Sequence, residues 1–311
     1  MLRIDAPAVD AAMSWPAMIA ALREGHRAPK PDLGDTLLRQ GHDAMLVRAA
    51  WIAGLGSAVT AVTIYPGNKS PIATIQGTVL VFDKDTGGVV ASIDAVPETR
   101  WKTAGDSALG SALLSRPNVQ TLLMIGAGTM AEPLVRAHCA ARQGIGTVLL
   151  WNRSRNRAEA LAARLGDLGR AIKVADDLAA AAGAADLISA ATMSTEPILR
   201  GAWLKPGTHV DLVGAYRPDM READDDVMRR GRVFVDYRGT TIEHIGELTT
   251  PIASGVLAAG DVRGDLYDLC AGAPGRRSDD DITVYKNGGG AHLDLMTALA
   301  IVDGVRRGGH G

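Results

Sequence analysis

The chain predicts an α/β protein in two parts: a doubly wound parallel sheet, and before it a β-rich α+β domain. Three observations carry that prediction. Residues 121–131, TLLMIGAGTMA, place a short apolar run directly before Gly126, Gly128 and Ala131, which follow G-x-G-x-x-A spacing. From there to residue 236, apolar runs of strand length alternate with stretches of helical period, the pattern of a parallel sheet with helical crossovers. Residues 44–95 instead hold short β-like runs separated by Gly, Pro, Asn and Asp.

Taken in order, residues 12–26 have helical period, with Ser14 as cap and Pro16 in the first turn. Residues 27–42 are polar and carry Pro29, Pro31 and Gly34, so a loop is expected. Four strands follow, AMLVRAAWI, AVTAVTIYP, TIQGTVLVFD and GGVVASID, the last two reading as a hairpin across KDTG. Residues 98–115 return to helix and Arg116-Pro117-Asn118 breaks it. After the glycine turn, EPLVRAHCAARQ is helix and residues 147–151 are strand. AEALAARLG, AIKVA, DDLAAAAGA and DLISAAT then alternate helix and strand. AWLKPGTHVDLVGA is turn and strand, READDDVMRRG helix, RVFVDY strand, and residues 243–260 helical. The chain closes with ITVYKNGGGAHLDLMTALAIVDGV, a glycine turn and an apolar helix. The expected division is 1–117, completed by 290–311, and 118–289.

The fingerprint has a physical meaning. Gly126 permits a tight turn, Gly128 lets backbone approach a pyrophosphate, and Ala131 lets helix pack on strand. The helix start then offers free N–H groups and partial positive charge to phosphate. Gly126, Ala127, Gly128, Thr129 and Met130 are therefore expected to bind a dinucleotide on a Rossmann-type sheet. The end of the next strand faces the adenosine ribose, where an acid marks NAD. Here stand Asn152, Arg153 and Ser154, an amide, a guanidinium and a hydroxyl that suit a 2′-phosphate, so NADP(H) is favoured over NAD(H). A solvated helix start is the other reading of Arg153, Arg155 and Arg157. Thr192, Met193 and Ser194 end a strand on the cofactor side of the sheet and are expected to contact it.

Composition bounds the rest. The chain has 311 residues, 47% hydrophobic and 22% charged, with net charge −2. That is room for two domains and gives no reason to expect nucleic acid or an anionic membrane as partner. No apolar run reaches the length of a membrane span, and the first residues lack the pattern of a signal peptide. Cys139 and Cys270 have no metal-ligand spacing, nor do the seven histidines, so no metal and a cytoplasmic location are expected.

Seven blocks then accumulate: VTIYPGN (62–68), VLVFDKDTG (79–87), WKTAGDSALGSALL (101–114), IGAGTMA (125–131), ISAATMSTEPIL (188–199), DLVGAYRPDMRE (211–222) and ITVYKNGGGAHLDLMTA (282–298). In these the sequence resembles the ornithine cyclodeaminase/mu-crystallin family over essentially its whole length. The resemblance implies a homodimer joined through the β-rich domain and a substrate pocket in the cleft between the domains. It also implies hydride exchange between nicotinamide and the α-carbon of a small amino or imino acid. Gly214 and the turn Asn287-Gly288 fall at family positions near the cofactor.

Three departures bear on the reaction. Tyr216 stands where deaminating members carry an Asp, and Thr60 where many carry a Lys. Lys102 replaces the Arg that grips the substrate carboxylate. Cyclodeamination needs a base to activate water, and Thr60 and Tyr216 are poor ones. Reduction of a preformed cyclic imine needs a proton, a hydride and a cation for the carboxylate, which Lys102 can supply as a point charge. A reductase of Δ1-pyrroline-2-carboxylate or Δ1-piperideine-2-carboxylate is therefore expected. The alternatives are an ornithine cyclodeaminase, an alanine dehydrogenase-like enzyme, or a non-catalytic NADPH-binding protein. Lys102 and Tyr216 are the candidate catalytic groups; Lys102, Asn68 and Thr60 are the candidate substrate contacts. Against these roles stand a solvated helix charge for Lys102, a packing aromatic for Tyr216 and a turn former for Asn68.

Overall fold

The computed structural model describes residues 1–308, and the expected helix end at 309–311 lies outside the described residues. Contacts divide the chain into two units, 1–102 with 290–311, and 103–289.

The first unit is built on a six-stranded sheet. Its strands are β1 (Leu2–Ile4), β2 (Asp32–Gln40), β3 (Asp43–Ile52), β4 (Gly56–Ile64), β5 (Ile75–Phe82) and β6 (Val89–Asp94), in the order β1-β6-β5-β4-β3-β2. From β2 to β6 the sheet is an antiparallel meander, and β1 joins β6 in parallel. Helices α1 (Ala6–Ala12) and α2 (Trp15–Gly25) begin with Asp5 and Ser14, whose side chains accept from Ala8 N and Ala17 N. On β3, Ala44, Ala50 and Ile52 are buried while Met45 and Trp51 are exposed, the period-two signature of a one-sided sheet.

The loop expected at 27–42 is corrected: Asp32–Gln40 is a strand, exposed along its length and paired in continuous register with β3 from Asp32↔Trp51 to Gln40↔Asp43. A ladder of main-chain hydrogen bonds needs no apolar side chain, so an edge strand can be polar enough to read as a loop.

The second unit holds a seven-stranded, all-parallel sheet. After α3 (Ala95–Leu114) come β7 (Thr121–Ile125), α4 (Ala131–Ala141), β8 (Thr147–Trp151), α5 (Arg155–Arg164), β9 (Ala171–Val174), α6 (Leu178–Ala184) and β10 (Leu187–Ala190). There follow β11 (His209–Leu212), α7 (Asp225–Arg230), β12 (Gly231–Val235), α8 (Arg238–Thr241), α9 (Gly246–Ala253), α10 (Leu266–Cys270) and β13 (Ile282–Lys286). The order β12-β13-β11-β10-β7-β8-β9 reverses direction at β7/β10, the switch point where such sheets take ligands. The helix expected over 243–260 contracts to α9.

The last helix, α11 (Ala291–Gly308), packs on α2 and on β3 and β4 of the first unit. The unit boundary falls inside α3, at Lys102/Thr103, and not at the Arg116-Pro117 break where the sequence analysis put it. The physical reason is packing: Gly110 lies against the Tyr285 ring, whose hydroxyl donates to Asp106 at 2.9 Å, and Asn287 Nδ2 donates to Thr103 O and Ser107 Oγ. The second half of α3 is thus part of the parallel-sheet unit.

Candidate active site

The glycine turn has the geometry its spacing predicts. Gly126 has φ of 108° and its N–H donates to Trp151 O at 2.8 Å; a Cβ there would lie 2.6 Å from Ala191 O. Gly128 faces open space. The start of α4 has no side-chain cap, so its free N–H groups remain available to an anion. A cavity of about 490 Å³ opens here, lined by Ala127, Gly128, Thr129, Glu132, Arg157 and Arg164. A dinucleotide phosphate fits this cradle: it wants backbone donors, and a Cβ-free approach is on offer.

At the end of β8, Asn152 Nδ2 donates to Ser154 O at 2.9 Å, fixing the turn. Arg153 and Ser154 are exposed, and neither side chain has a partner among the described residues. Arg155, by contrast, is tied to Glu159 and Asp176. Arg157 lines the cavity, a residue whose basic charge the sequence showed without assigning it.

The strand ends on the far side of the switch point are held by buried acids that sequence reasoning missed. Glu222 accepts from Thr192 N at 2.7 Å, Thr192 Oγ1 at 2.9 Å and Gly214 N at 2.6 Å, binding the ends of β10 and β11 together. A side chain on Gly214 would collide with the Thr192 backbone. Glu247 in turn accepts from Glu222 N and Ala223 N. Asp236 accepts from Gly288 N at 3.0 Å and Gly289 N at 2.6 Å, setting the glycine turn beside Asn287. Lys286, fully buried, donates to Leu212 O and Asn287 O. Burial pushes the Glu222 and Asp236 carboxyls up and the Lys286 ammonium down. Burial, aided by Glu222, lifts Glu247 to about 7. Met193 is 65% exposed, and Ser194 Oγ donates to Glu196 O. Tyr216 is 56% exposed beneath the Arg217 guanidinium.

In the other unit, Lys102 is not a solvated helix charge. It is buried, and its Nζ meets Asp294 Oδ1 of α11 at 2.5 Å. Glu98, one turn earlier on α3, is wholly buried. Burial would lower the Lys102 ammonium, but Asp294 and then Glu98 outweigh it and hold it above its ordinary value. Burial lifts the Glu98 carboxyl to about 8, against the pull of Lys102. At neutral pH Lys102 therefore keeps its charge, and Glu98 largely still holds its proton. Thr60 lies on β4 directly opposite Arg48 of β3, and its buried Oγ1 has no hydrogen-bond partner among the described residues. Asn68 Nδ2 donates to Ala73 O at 2.9 Å, so the amide closes its own loop. Glu98, Arg48 and Asp294 complete this cluster. The usable signals were Arg48, a charge at an inward position of an alternating strand, and Glu98, four residues before Lys102.

Among the described residues no group of three or more His, Cys, Asp or Glu is placed to hold a metal, and no helix is long and apolar enough to cross a membrane. The isolated histidines of the sequence are mostly internal. His209 Nδ1 lies 2.9 Å from Thr283 Oγ1, and burial lowers its pKa to about 3.

With this geometry in hand, similarity to known proteins is informative. The chain is 49% identical to the Δ1-pyrroline-2-carboxylate reductase of Paracoccus denitrificans over 93% of this chain and 92% of that protein. The Thermococcus litoralis Δ1-pyrroline-2-carboxylate reductase, solved in complex with NADH and L-proline, superposes with a TM-score of 0.90 at 26% identity, covering 99% of this chain and 98% of that one. The iminosuccinate reductase of P. denitrificans, solved with NAD⁺, gives 0.93 at 26% identity, covering 99% and 97%. The sequence model of the ornithine cyclodeaminase/mu-crystallin family matches residues 41–309, and the chain belongs to that family.

Proposed function

We propose that this protein is an NAD(P)H-dependent reductase of small cyclic imino acids, converting Δ1-pyrroline-2-carboxylate or Δ1-piperideine-2-carboxylate to L-proline or L-pipecolate. The observation that carries this reading is the polar set around Lys102. It holds protons, in Lys102 and Glu98, and Thr60 beside them is a hydroxyl and not a base able to activate water. The 49% identity to a reductase of that name supports the same substrate class.

A bound reduced nicotinamide would supply the hydride that the electron-poor imine carbon takes. Gly126, Ala127, Gly128, Thr129 and Met130 seat its phosphates. The Glu222 clamp fixes Thr192 and Gly214, and Asp236 fixes the Gly288-Gly289 turn, so these backbone edges meet the cofactor already ordered. Lys102 keeps its ammonium proton at neutral pH, and Asp294 orients that group. A proton on the imine nitrogen raises the electrophilicity of the adjacent carbon, and Lys102 is the donor we assign to it.

NADP(H) is the preferred cofactor: among the described residues the side chains of Arg153, Ser154 and Arg157 have no hydrogen-bond partner, and Asn152 stands at the end of β8 where an acid would bond a free 2′-hydroxyl. A homodimer forms through the sheet of the first unit, whose edge strand β2 carries Leu37 and Leu38 at 48% and 56% exposure. The protein works in the cytoplasm, where the thiols of Cys139 and Cys270 stay reduced. The test is loss of reduced-nicotinamide absorbance with either imino acid. Turnover with NADPH is expected; no turnover with either substrate and either cofactor across pH overturns the reading.

A further inference from the structure

Lys102 was expected to grip the substrate carboxylate, but its charge is already spent. Asp294 lies 2.5 Å from its Nζ, and the second carboxylate oxygen, Oδ2, has no partner among the described residues. An incoming anion would meet a neutral pair with a bare carboxylate oxygen beside it.

A different cation lies on the inward face of the sheet. Even-numbered residues of β3 face the helices: Ala44, Ala50 and Ile52 are buried. Arg48 shares that parity, at a position where a core residue is the default. Its side chain is 22% exposed, and its field reaches Glu98, Lys102 and His292. Asp35, its register partner on β2, accepts from Nε at 3.0 Å in an ion pair whose acid is 44% exposed, so solvent screens this pair as it does not screen the buried Lys102–Asp294 pair. That single bond fixes the guanidinium and leaves both terminal nitrogens without a hydrogen bond among the described residues. Across the ladder on β4, at Cα register with Arg48, stands Thr60, 5% exposed with an unsatisfied hydroxyl. Directly opposed residues of an antiparallel pair share a face. A guanidinium edge held by Asp35 and an unused hydroxyl on the same face of the sheet form the donor set a carboxylate takes.

Resting on the imino-acid reductase reading, we propose that Arg48 and Thr60, on the inward face of β3 and β4, seat the substrate carboxylate, and that Lys102 does not. Arg48 is then a specificity-determining residue: it selects imines that carry an acid next to the reacting carbon. The division of labour also leaves Lys102 free to face the nitrogen.

The test compares Δ1-pyrroline-2-carboxylate with 1-pyrroline, the same ring without the acid. In Arg48→Met the ratio of kcat/KM between the two substrates falls about 10²-fold, mainly through KM, as expected for losing one charge-paired contact. Thr60→Val lowers it about 10-fold, and Arg48→Lys recovers part of the loss. In Lys102→Met, or Lys102→Met with Asp294→Asn where the single variant unfolds, the ratio moves by less than about threefold. A ratio that holds in Arg48→Met, or falls as far in the Lys102 variants, overturns the assignment. Binding of pyrrole-2-carboxylate, a planar anion of the same shape, is measured in parallel by calorimetry. If wild-type protein oxidises NADPH with neither substrate, the reductase reading fails. The carboxylate seat still stands if this anion binds wild type and the Lys102 variant but not Arg48→Met. Equal binding to all three, or to none, overturns it.

Discussion

Lys102→Met removes one half of a buried ion pair and leaves the other half in place. Asp294 is 1% exposed, and Lys102 is its one ion-pair partner among the described residues. A carboxylate left alone in such a position costs about 3–5 kcal/mol of stability, whereas replacing both members of a buried pair by neutral groups is often close to neutral. With an unfolding entropy of about 2.1 cal/mol/K per residue over 311 residues, the single substitution lowers Tm by about 5–8 °C if the chain melts as one unit. The drop is larger if the smaller unit melts by itself. Adding Asp294→Asn recovers most of the loss, so the two substitutions are strongly non-additive. Calorimetry of wild type, both single variants and the double variant at constant pH reads the cycle directly. The reasoning is refuted if Lys102→Met melts within about 1 °C of wild type, or if the double variant melts no higher than the single one.

Three further outcomes are expected. Arg153→Ala and Arg157→Ala each raise KM for NADPH by about 10-fold or more while leaving KM for NADH nearly unchanged, because a hydrogen bond to a charged phosphate is worth about 1.5–3 kcal/mol; equal effects on both cofactors would remove the 2′-phosphate assignment. Glu98 is an acid whose folded-state pKa is raised to about 8, so its contribution to stability is fully present below about 4.5 and is lost as pH rises through about 8. Denaturant midpoints should therefore shift in favour of Glu98→Gln over wild type between those limits, and a pH-independent difference would contradict the burial argument. Leu37→Asp together with Leu38→Asp should turn a dimer into a monomer in sedimentation, whereas a wild-type monomer would refute the edge-strand interface.

The glycine fingerprint was legible because its meaning is local. One strand, one glycine turn and one uncapped helix start make up the feature, and all three lie within residues 121–141. Strand and helix alternation was legible for the same reason, since a period is read from neighbours along the chain. Strand β2 was not, because an exposed edge is defined by the partner it pairs with and leaves no apolar pattern of its own.

By itself the sequence determined the fold class, the glycine turn after β7 and the absence of an acid at Asn152. Tertiary structure decided how charge is shared. Lys102 meets Asp294 across 192 residues of chain, Glu222 reaches back to Thr192, and Arg48 faces Thr60 across a β ladder. An ionic group acts by what surrounds it, and burial and pairing are properties of space that spacing along the chain does not encode.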